Sequence, residues 1–141
     1  MASTVKYDGL EVGSRAPALA VTPTLVQLFL FSAVTWNAHL IHYDDAYAES
    51  EGYPAPVIHG PFQGALLGRL LTDWVGDAGA LSRLAYSHRG IAHLGDTITF
   101  RGEVVRKYEE SGSRRIDVQL SVETQKGEVT TVGKATIDFP A

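Results

Sequence analysis

A strict alternation of apolar and polar residues in the last third of the chain constrains the fold most. Within 116–123 the apolar positions are Ile116, Val118, Leu120 and Val122, and the positions between them are Asp117, Gln119, Ser121 and Glu123. Successive side chains of a β-strand point to opposite faces. The period of two therefore predicts a strand with one buried face and one face exposed to water.

Three further segments show a similar but less regular alternation, at 82–89, 97–107 and 129–139, and each predicts a strand. Turn-forming residues separate these segments, and they are Gly95-Asp96, Ser111-Gly112-Ser113 and Lys126-Gly127. Connections this short join antiparallel neighbours. An apolar run at 18–21 predicts a short additional strand near the start of the chain.

The segment 61–75 predicts a central helix, because its apolar residues are too many for one face. Its only strongly polar residues are Gln63, Arg69, Thr72 and Asp73. One buried helix followed by four strands predicts an α+β fold, an antiparallel sheet wrapped around the helix. Residues 1–141 fit a single domain of this kind. The free edges of such a sheet favour pairing with a second copy, as a homodimer or higher homo-oligomer.

The most apolar stretch of the chain, Leu25–Val34, predicts a second helix, interrupted only by Gln27 and Ser32. It is much shorter than the roughly 20 residues that cross a bilayer, so we expect a buried helix and no membrane partner. Thr22 is the expected N-cap, with Pro23 at the first helical position.

Composition excludes several classes of function. The chain has no cysteine, which removes disulfides, thiolate nucleophiles and cysteine-based metal sites. A formal net charge of −4 provides no basic field to attract nucleic acid. Residues 1–9 lack the basic and apolar pattern of a secretory signal, and a cytoplasmic location is expected.

The segment 35–45 contains two His, one Asn and two Asp, which is too polar for a core and predicts a loop beside a cleft. His42 lies within it, and an imidazole with an ordinary pKa of about 6.5 is largely neutral at physiological pH and can act as a base. Seventeen residues later follows the sequence His59-Gly60-Pro61.

These residues resemble the signature of the MaoC-like, hot-dog-fold dehydratases, Asp-x-Asn-Pro-x-His-x-Asp followed by His-Gly at the start of the central helix. The sequence is more similar still to type 2 hydroxyacyl-thioester dehydratases and mesaconyl-CoA-type hydratases, through Ser32-Ala33-Val34-Thr35-Trp36-Asn37-Ala38-His39 and Ile41-His42-Tyr43-Asp44. The resemblance implies a hot-dog fold. It also implies a hydratase or dehydratase that acts on an acyl-CoA or acyl-carrier thioester and needs no cofactor beyond the substrate's own pantetheine arm.

The resemblance places His42 on the family's catalytic His and Asn37 on its catalytic Asp. Because an amide cannot accept a proton, His42 must act as both general base and general acid, while Asn37 orients the water. His39 takes the place of the family's Asn, Leu40 replaces its Pro, and Asp44 matches its trailing Asp.

The substrate-binding residues expected from the resemblance are His39, His59 and Gly60. The Gly60 amide falls where the family directs a donor at the thioester oxygen, a role suited to a helix N-terminus. His88 and His93 are expected to have ordinary structural roles. Of the arginines on or between the predicted strands, one or two could meet the phosphates of coenzyme A.

Three alternatives remain open at this point. A zinc site built from His39, His42, His59 and Asp44 lacks any His-Glu-x-x-His pattern, so no metal is expected. A hot-dog thioesterase needs a carboxylate or a positioned water on or near the central helix, and the only carboxylate on that helix is Asp73, near its C-terminal end. A non-catalytic binding or partner subunit is the third alternative, since Asn37 stands where a carboxylate is expected.

Overall fold

The computed structural model describes residues 5–141 and contains one five-stranded antiparallel sheet. The strands are β1 (Leu19–Val21), β2 (Ala80–His88), β3 (Ile98–Glu110), β4 (Ser113–Thr124) and β5 (Val129–Phe139). Their order across the sheet is β1-β3-β4-β5-β2, which leaves β1 and β2 at the two edges. All five strand predictions are confirmed, and β3 and β4 extend beyond the predicted bounds because their hairpin continues to a tight turn at Ser111 and Gly112.

The buried face of the sheet is the one that the alternation predicts. Across β3, β4 and β5, Phe100 pairs with Val122, and Ile116 pairs with Ile137. These four side chains are completely buried. Each stabilises the fold by about 1.5–3 kcal/mol relative to an exposed position, so this face dominates the core.

The central helix α3 (Gly60–Val75) crosses this face, and Leu67 and Leu71 are fully buried against it. Its first two turns approach the edge strand β2 so closely that a Cβ at Gly60 would overlap the His88 ring. A Cβ at Gly64 would overlap the Tyr86 ring in the same way. Two glycines therefore allow the start of α3 to pack against the edge of the sheet.

Helix α1 (Leu25–Val34) differs from its sequence prediction in two respects. Thr24 is the N-cap, since its hydroxyl accepts a hydrogen bond from the Gln27 amide, while the Gln27 side chain accepts one from the Thr24 amide. Thr22, the predicted cap, instead hydrogen-bonds Thr97 at 2.7 Å.

The prediction that α1 is buried is also wrong. Only Leu28 and Ser32 are buried in this helix, whereas Val26, Phe29 and Leu30 expose half of their surface or more. A single face of α1 packs on the rest of the chain. Burial within the chain therefore does not explain why α1 is apolar on all sides. Within the described residues no helix is long and apolar enough to cross a membrane.

Candidate active site

The polar segment after α1 is mostly irregular between 35 and 45, as the sequence predicts, although short helical elements interrupt it. It forms a 3-10 helix at Leu40–His42 and a short α-helix, α2, at Asp45–Ser50. The Asp44 carboxylate caps α2 by accepting a hydrogen bond from the Tyr47 amide at 2.9 Å. The motif's trailing Asp therefore fixes the backbone that follows His42.

His42 is held in one tautomer by the backbone of the segment before α3. Its side chain is 8% exposed, and its Nδ1 lies 2.7 Å from the Val57 carbonyl oxygen. A carbonyl can only accept, so Nδ1 carries the proton and donates it, leaving the Nε2 lone pair available.

The protonation state of His42 follows from its surroundings. Burial lowers the pKa of His42 below its ordinary value; the hydrogen bond to Val57 raises it, and the nearby His39 lowers it again, for a net decrease. His42 is therefore a neutral imidazole at physiological pH, which is the form that a general base requires.

His59 lies directly against this ring. The two imidazoles are stacked, with centroids 3.8 Å apart and planes inclined by 17°, and His59 is completely buried. Burial, reinforced by the neighbouring His42, lowers the pKa of His59 to about 4. The ring on which His42 rests is thus also uncharged.

Ser32 of α1 binds the far side of His59, with Oγ 2.6 Å from Nε2. This is the only hydrogen bond of the Ser32 hydroxyl among the described residues, and the tautomer of His59 decides which of the two groups donates. The His59 Nδ1 is buried and has no partner within residues 5–141. An unpartnered polar nitrogen therefore lies in the residue immediately before α3.

The first amide of α3 is also free. Within the described part of the chain the Gly60 N–H donates no hydrogen bond, and Pro61 has no N–H to offer. The N-terminal end of a helix carries a partial positive charge. The start of α3 can thus stabilise a developing negative charge, next to a stacked pair of neutral imidazoles.

Asn37 lies shortly after the end of α1, and His39 lies beside His42. The Asn37 backbone N–H donates to the Ser32 carbonyl at 3.0 Å. Its half-buried side chain makes no hydrogen bond to the described residues, which leaves the amide free for a ligand. His39 is exposed, its Nδ1 accepts from the Ile41 amide at 3.3 Å, and its ring centroid lies 6.3 Å from that of His42.

Sequence reasoning missed two contributors to this site. In the sequence Ser32 is a polar interruption of an apolar helix and the first residue of the motif, and the interruption is the signal that could have identified it. Val57 contributes a backbone carbonyl, for which no side-chain pattern exists. Among the described residues no group of three His, Cys, Asp or Glu side chains is placed to hold a metal ion.

A second buried polar cluster connects the start of α3 to the sheet. The Gln63 side-chain oxygen accepts hydrogen bonds from Thr130 at 2.7 Å and Thr131 at 2.9 Å. The His88 Nδ1 lies 3.0 Å from the Thr131 hydroxyl. These bonds fix the first turn of α3 relative to β2 and β5, which gives His88 a structural position.

Comparison with known proteins agrees with this architecture. A MaoC-like dehydratase of known structure superimposes with a TM-score of 0.84 at 23% identity, over 96% of this chain and 42% of that one. The fold is therefore the hot-dog fold that the sequence resemblance implied.

Two curated relatives are similar in sequence. A mesaconyl-C(4)-CoA hydratase of Chloroflexus aurantiacus is 42% identical over 87 residues, which cover 58% of this chain and 30% of that protein. An (R)-specific enoyl-CoA hydratase of Aeromonas caviae is 24% identical over 134 residues, 94% of this chain and 98% of that protein. The matched region thus spans less than a third of the first relative.

The family model described as hydroxyacyl-thioester dehydratase type 2 matches residues 11–94. This range contains α1, the His42 and His59 pair and the whole of α3. The chain therefore belongs to the type 2 hydroxyacyl-thioester dehydratase family.

Proposed function

We propose that the protein adds water to, or removes it from, the carbon–carbon double bond of an enoyl thioester, with His42 as the general acid and base. The observation that carries this proposal is the neutral, tautomer-fixed imidazole of His42. It is stacked on His59, the residue before the unoccupied amide of Gly60. A base and an oxyanion donor are thus held in adjacent positions.

In the hydration direction, Nε2 of His42 accepts a proton from a water molecule that the Asn37 side chain orients. The water oxygen forms a bond to the β-carbon, and the π electrons move to the α-carbon and the thioester oxygen. The imidazolium of His42 then returns its proton to the α-carbon, which regenerates the neutral base. Dehydration follows the same steps in reverse.

The negative charge that develops on the thioester oxygen is stabilised by the Gly60 N–H and the dipole of α3. Removing one such donor typically costs about 3 kcal/mol of transition-state stabilisation. The unpartnered Nδ1 of His59 lies in the same region, and in the tautomer that carries its proton there it is a second donor. We assign His59, Gly60 and His39 to substrate binding.

Coenzyme A is the thioester carrier that the relatives' names support, since both are hydratases of CoA thioesters. Arg83 and Arg89 of the β2 region take part in no ion pair within residues 5–141, so their guanidinium groups are available to phosphates. The proposed chemistry uses no metal and no additional cofactor, and a cytoplasmic enzyme is the form that we propose.

A homodimer is the assembly that we propose. Strand β2 has a hydrogen-bonded neighbour on one side only, and α1 exposes Val26, Phe29 and Leu30. Both features favour association with a second copy. Size-exclusion chromatography with light scattering should give a dimer at micromolar concentration, and a monomer alone would refute this assembly.

Loss of the conjugated enoyl absorbance of crotonyl-CoA or mesaconyl-CoA tests the reaction directly. We expect turnover by the parent protein and its loss in His42→Ala. A His42→Ala variant that hydrates both substrates at the parent rate would remove His42 from the mechanism.

Two other outcomes would identify the alternative functions. Release of free thiol without loss of enoyl absorbance would identify a thioesterase, and binding without either reaction would identify a non-catalytic subunit. The thioesterase is disfavoured because Asp73 is exposed near the C-terminal end of α3 and paired with Arg69.

A further inference from the structure

Trp36 occupies a backbone conformation that normally belongs to glycine. Helix α1 ends in a Schellman motif, in which the Asn37 N–H donates to the Ser32 carbonyl and the Trp36 N–H donates to the Ala33 carbonyl. Trp36 is the left-handed residue of this motif, with φ of 56°. A bulky side chain is strained there, because its Cβ approaches the backbone too closely.

Burial does not compensate for this strain, since 90% of the Trp36 surface is exposed in the single chain. Glycine would relieve the backbone and remove an exposed indole. Neither local conformation nor core packing therefore explains a tryptophan at this position. Strained residues of this kind are found at sites that contact a ligand.

Trp36 lines a small cavity between the end of α1 and the residues that lead to His42. Its volume is about 180 Å³. The lining residues are Phe29, Ser32, Ala33, Trp36, Ala38 and Tyr43. Two of these are directly connected to the candidate site, because Ser32 hydrogen-bonds His59 and Tyr43 follows His42.

The chemistry of this cavity is that of a hydrocarbon site. The Tyr43 hydroxyl donates to the Ala38 carbonyl at 2.9 Å and the Ser32 hydroxyl is engaged by His59, so the lining hydroxyls are already used. No Lys or Arg occurs between residues 16 and 68. A phosphate or nucleotide has no counter-charge here, whereas an apolar chain fits.

We propose that this cavity receives the acyl chain of the substrate and that Trp36, as its outer wall, limits the chain length. This inference rests on the proposed function, and it specifies the substrate class as a short-chain enoyl thioester. At roughly 30 Å³ for a group of the size of water, the cavity has room for roughly six carbon-sized groups. Longer chains must displace the indole.

The first test compares hydration of crotonyl-, hexenoyl-, octenoyl-, decenoyl- and dodecenoyl-CoA. For the parent we expect kcat/KM to fall steeply towards dodecenoyl-CoA. Trp36→Gly should raise kcat/KM for dodecenoyl-CoA by about tenfold or more, mainly through KM, and leave crotonyl-CoA within about twofold. Trp36→Asn, which tolerates the left-handed conformation and is also small, should give the same shift. An unchanged chain-length profile in both variants overturns the proposal.

Ser111 provides the matched control for backbone strain. It is the other non-glycine residue with positive φ in the described chain, at 52°, and it lies in the β3–β4 turn, away from α1. Trp36→Gly and Ser111→Gly should each raise the melting temperature, by about 3 °C. Only Trp36→Gly should change the chain-length profile. A profile that changes equally in Ser111→Gly would mean that the effect comes from stability, and it would refute the assignment.

Binding of saturated acyl-CoA separates this inference from the proposed function, because it needs no turnover. The chain has two tryptophans, and Trp74 is only 6% exposed, so a shift of emission to shorter wavelength on loss of water contact reports on Trp36. Octanoyl-CoA should shift the emission to shorter wavelength, and free coenzyme A should not. If no enoyl-CoA is hydrated but this shift occurs, the hydratase proposal fails and the acyl pocket stands. If enoyl-CoA is hydrated without the shift, the acyl pocket fails and the hydratase proposal stands.

A second copy of the chain is the competing occupant of this cavity. Light scattering on Trp36→Gly distinguishes the two. A fall in oligomer size together with an unchanged chain-length profile would assign Trp36 to a subunit interface and overturn the acyl pocket. An unchanged oligomer with a shifted profile supports it.

Discussion

The sheet of β3, β4 and β5 and the segment 24–60 differ in the kinds of side chain that they expose and bury. In the sheet the apolar residues are inside, as with Phe100 and Ile116, and the charged residues pair on the outer face, as with Arg101 and Glu123. In the segment 24–60 apolar side chains such as Trp36 and Val34 are exposed, while two imidazoles are buried.

This difference separates residues that the fold requires from residues that only a function explains. Most buried groups in the sheet are accounted for by the transfer of apolar surface out of water, and the buried hydroxyls of Thr130 and Thr131 are hydrogen-bonded to Gln63. Three features of the segment 24–60 oppose folding. They are the stacked, buried rings of His42 and His59, the unpartnered Nδ1 of His59, and the strained, exposed Trp36. Sites where local rules fail in this way are expected to be functional. Substitutions in the two regions should therefore separate activity from stability.

The largest expected effect is that of His42→Gln on activity. A glutamine can still donate to the Val57 carbonyl, but it cannot accept and return a proton, so kcat should fall by about 1000-fold. The melting temperature should change little. The comparison is His39→Gln, which alters an exposed imidazole assigned to substrate binding and should raise KM while retaining most of kcat. Equal losses in both variants would mean that the two histidines act as one unit and would remove the special role of His42.

A smaller effect is expected from His59 on the pH dependence of stability. Its pKa falls from an ordinary value of 6.5 in the unfolded chain to about 4 in the folded protein. The unfolded state therefore binds more protons between these values, and stability is lost as pH falls through this window. The loss attributable to His59 should be about 3 kcal/mol.

Urea unfolding at neutral pH and near pH 4 measures this loss, as the difference between the parent and His59→Gln. Glutamine does not titrate and can still bond Ser32, so the variant should show a shallower dependence on pH. If the slopes of parent and His59→Gln coincide, His59 is not a neutral buried ring.

The sheet and the central helix could be predicted from sequence because their signals are local and periodic. The alternation around Leu120 and the apolar breadth of 61–75 follow directly from the geometry of strands and helices. The position of α1 could not be predicted in this way. Its apolar residues indicated burial, and they do not reveal that a single chain leaves Val26 and Leu30 exposed.

The candidate site was predictable only as far as its side chains match a known motif. His42, His59 and Gly60 were identified in the sequence, and the structure brings them together. The tautomer of His42 depends on a carbonyl 15 residues away in sequence, and the stacking of the two imidazoles depends on how 42 and 59 meet in space. Neither property leaves a periodic trace in the sequence.

In the sheet, Ile116→Val should reduce the free energy of unfolding by about 1 kcal/mol, because it removes one methyl group from a fully buried position. The value of kcat should stay within about twofold of the parent. The matched control is Val105→Ala on β3, where the side chain is 44% exposed and the change in stability should be smaller. A large loss of activity in Ile116→Val would contradict the separation between scaffold and site.

The smallest expected effect concerns the outer face of the sheet. Arg101 and Glu123 form an ion pair of 3.1 Å between β3 and β4, with both side chains partly in water. A double-mutant cycle with Arg101→Gln and Glu123→Gln should give a coupling of about 0.5 kcal/mol or less, because solvent screens the pair. The coupling should decrease further in high salt. A larger coupling that salt does not weaken would mean that another surface covers this face of β3 and β4. The outer face of the sheet would then resemble the segment 24–60, where apolar side chains that are exposed in the single chain indicate contact with a ligand or a second copy.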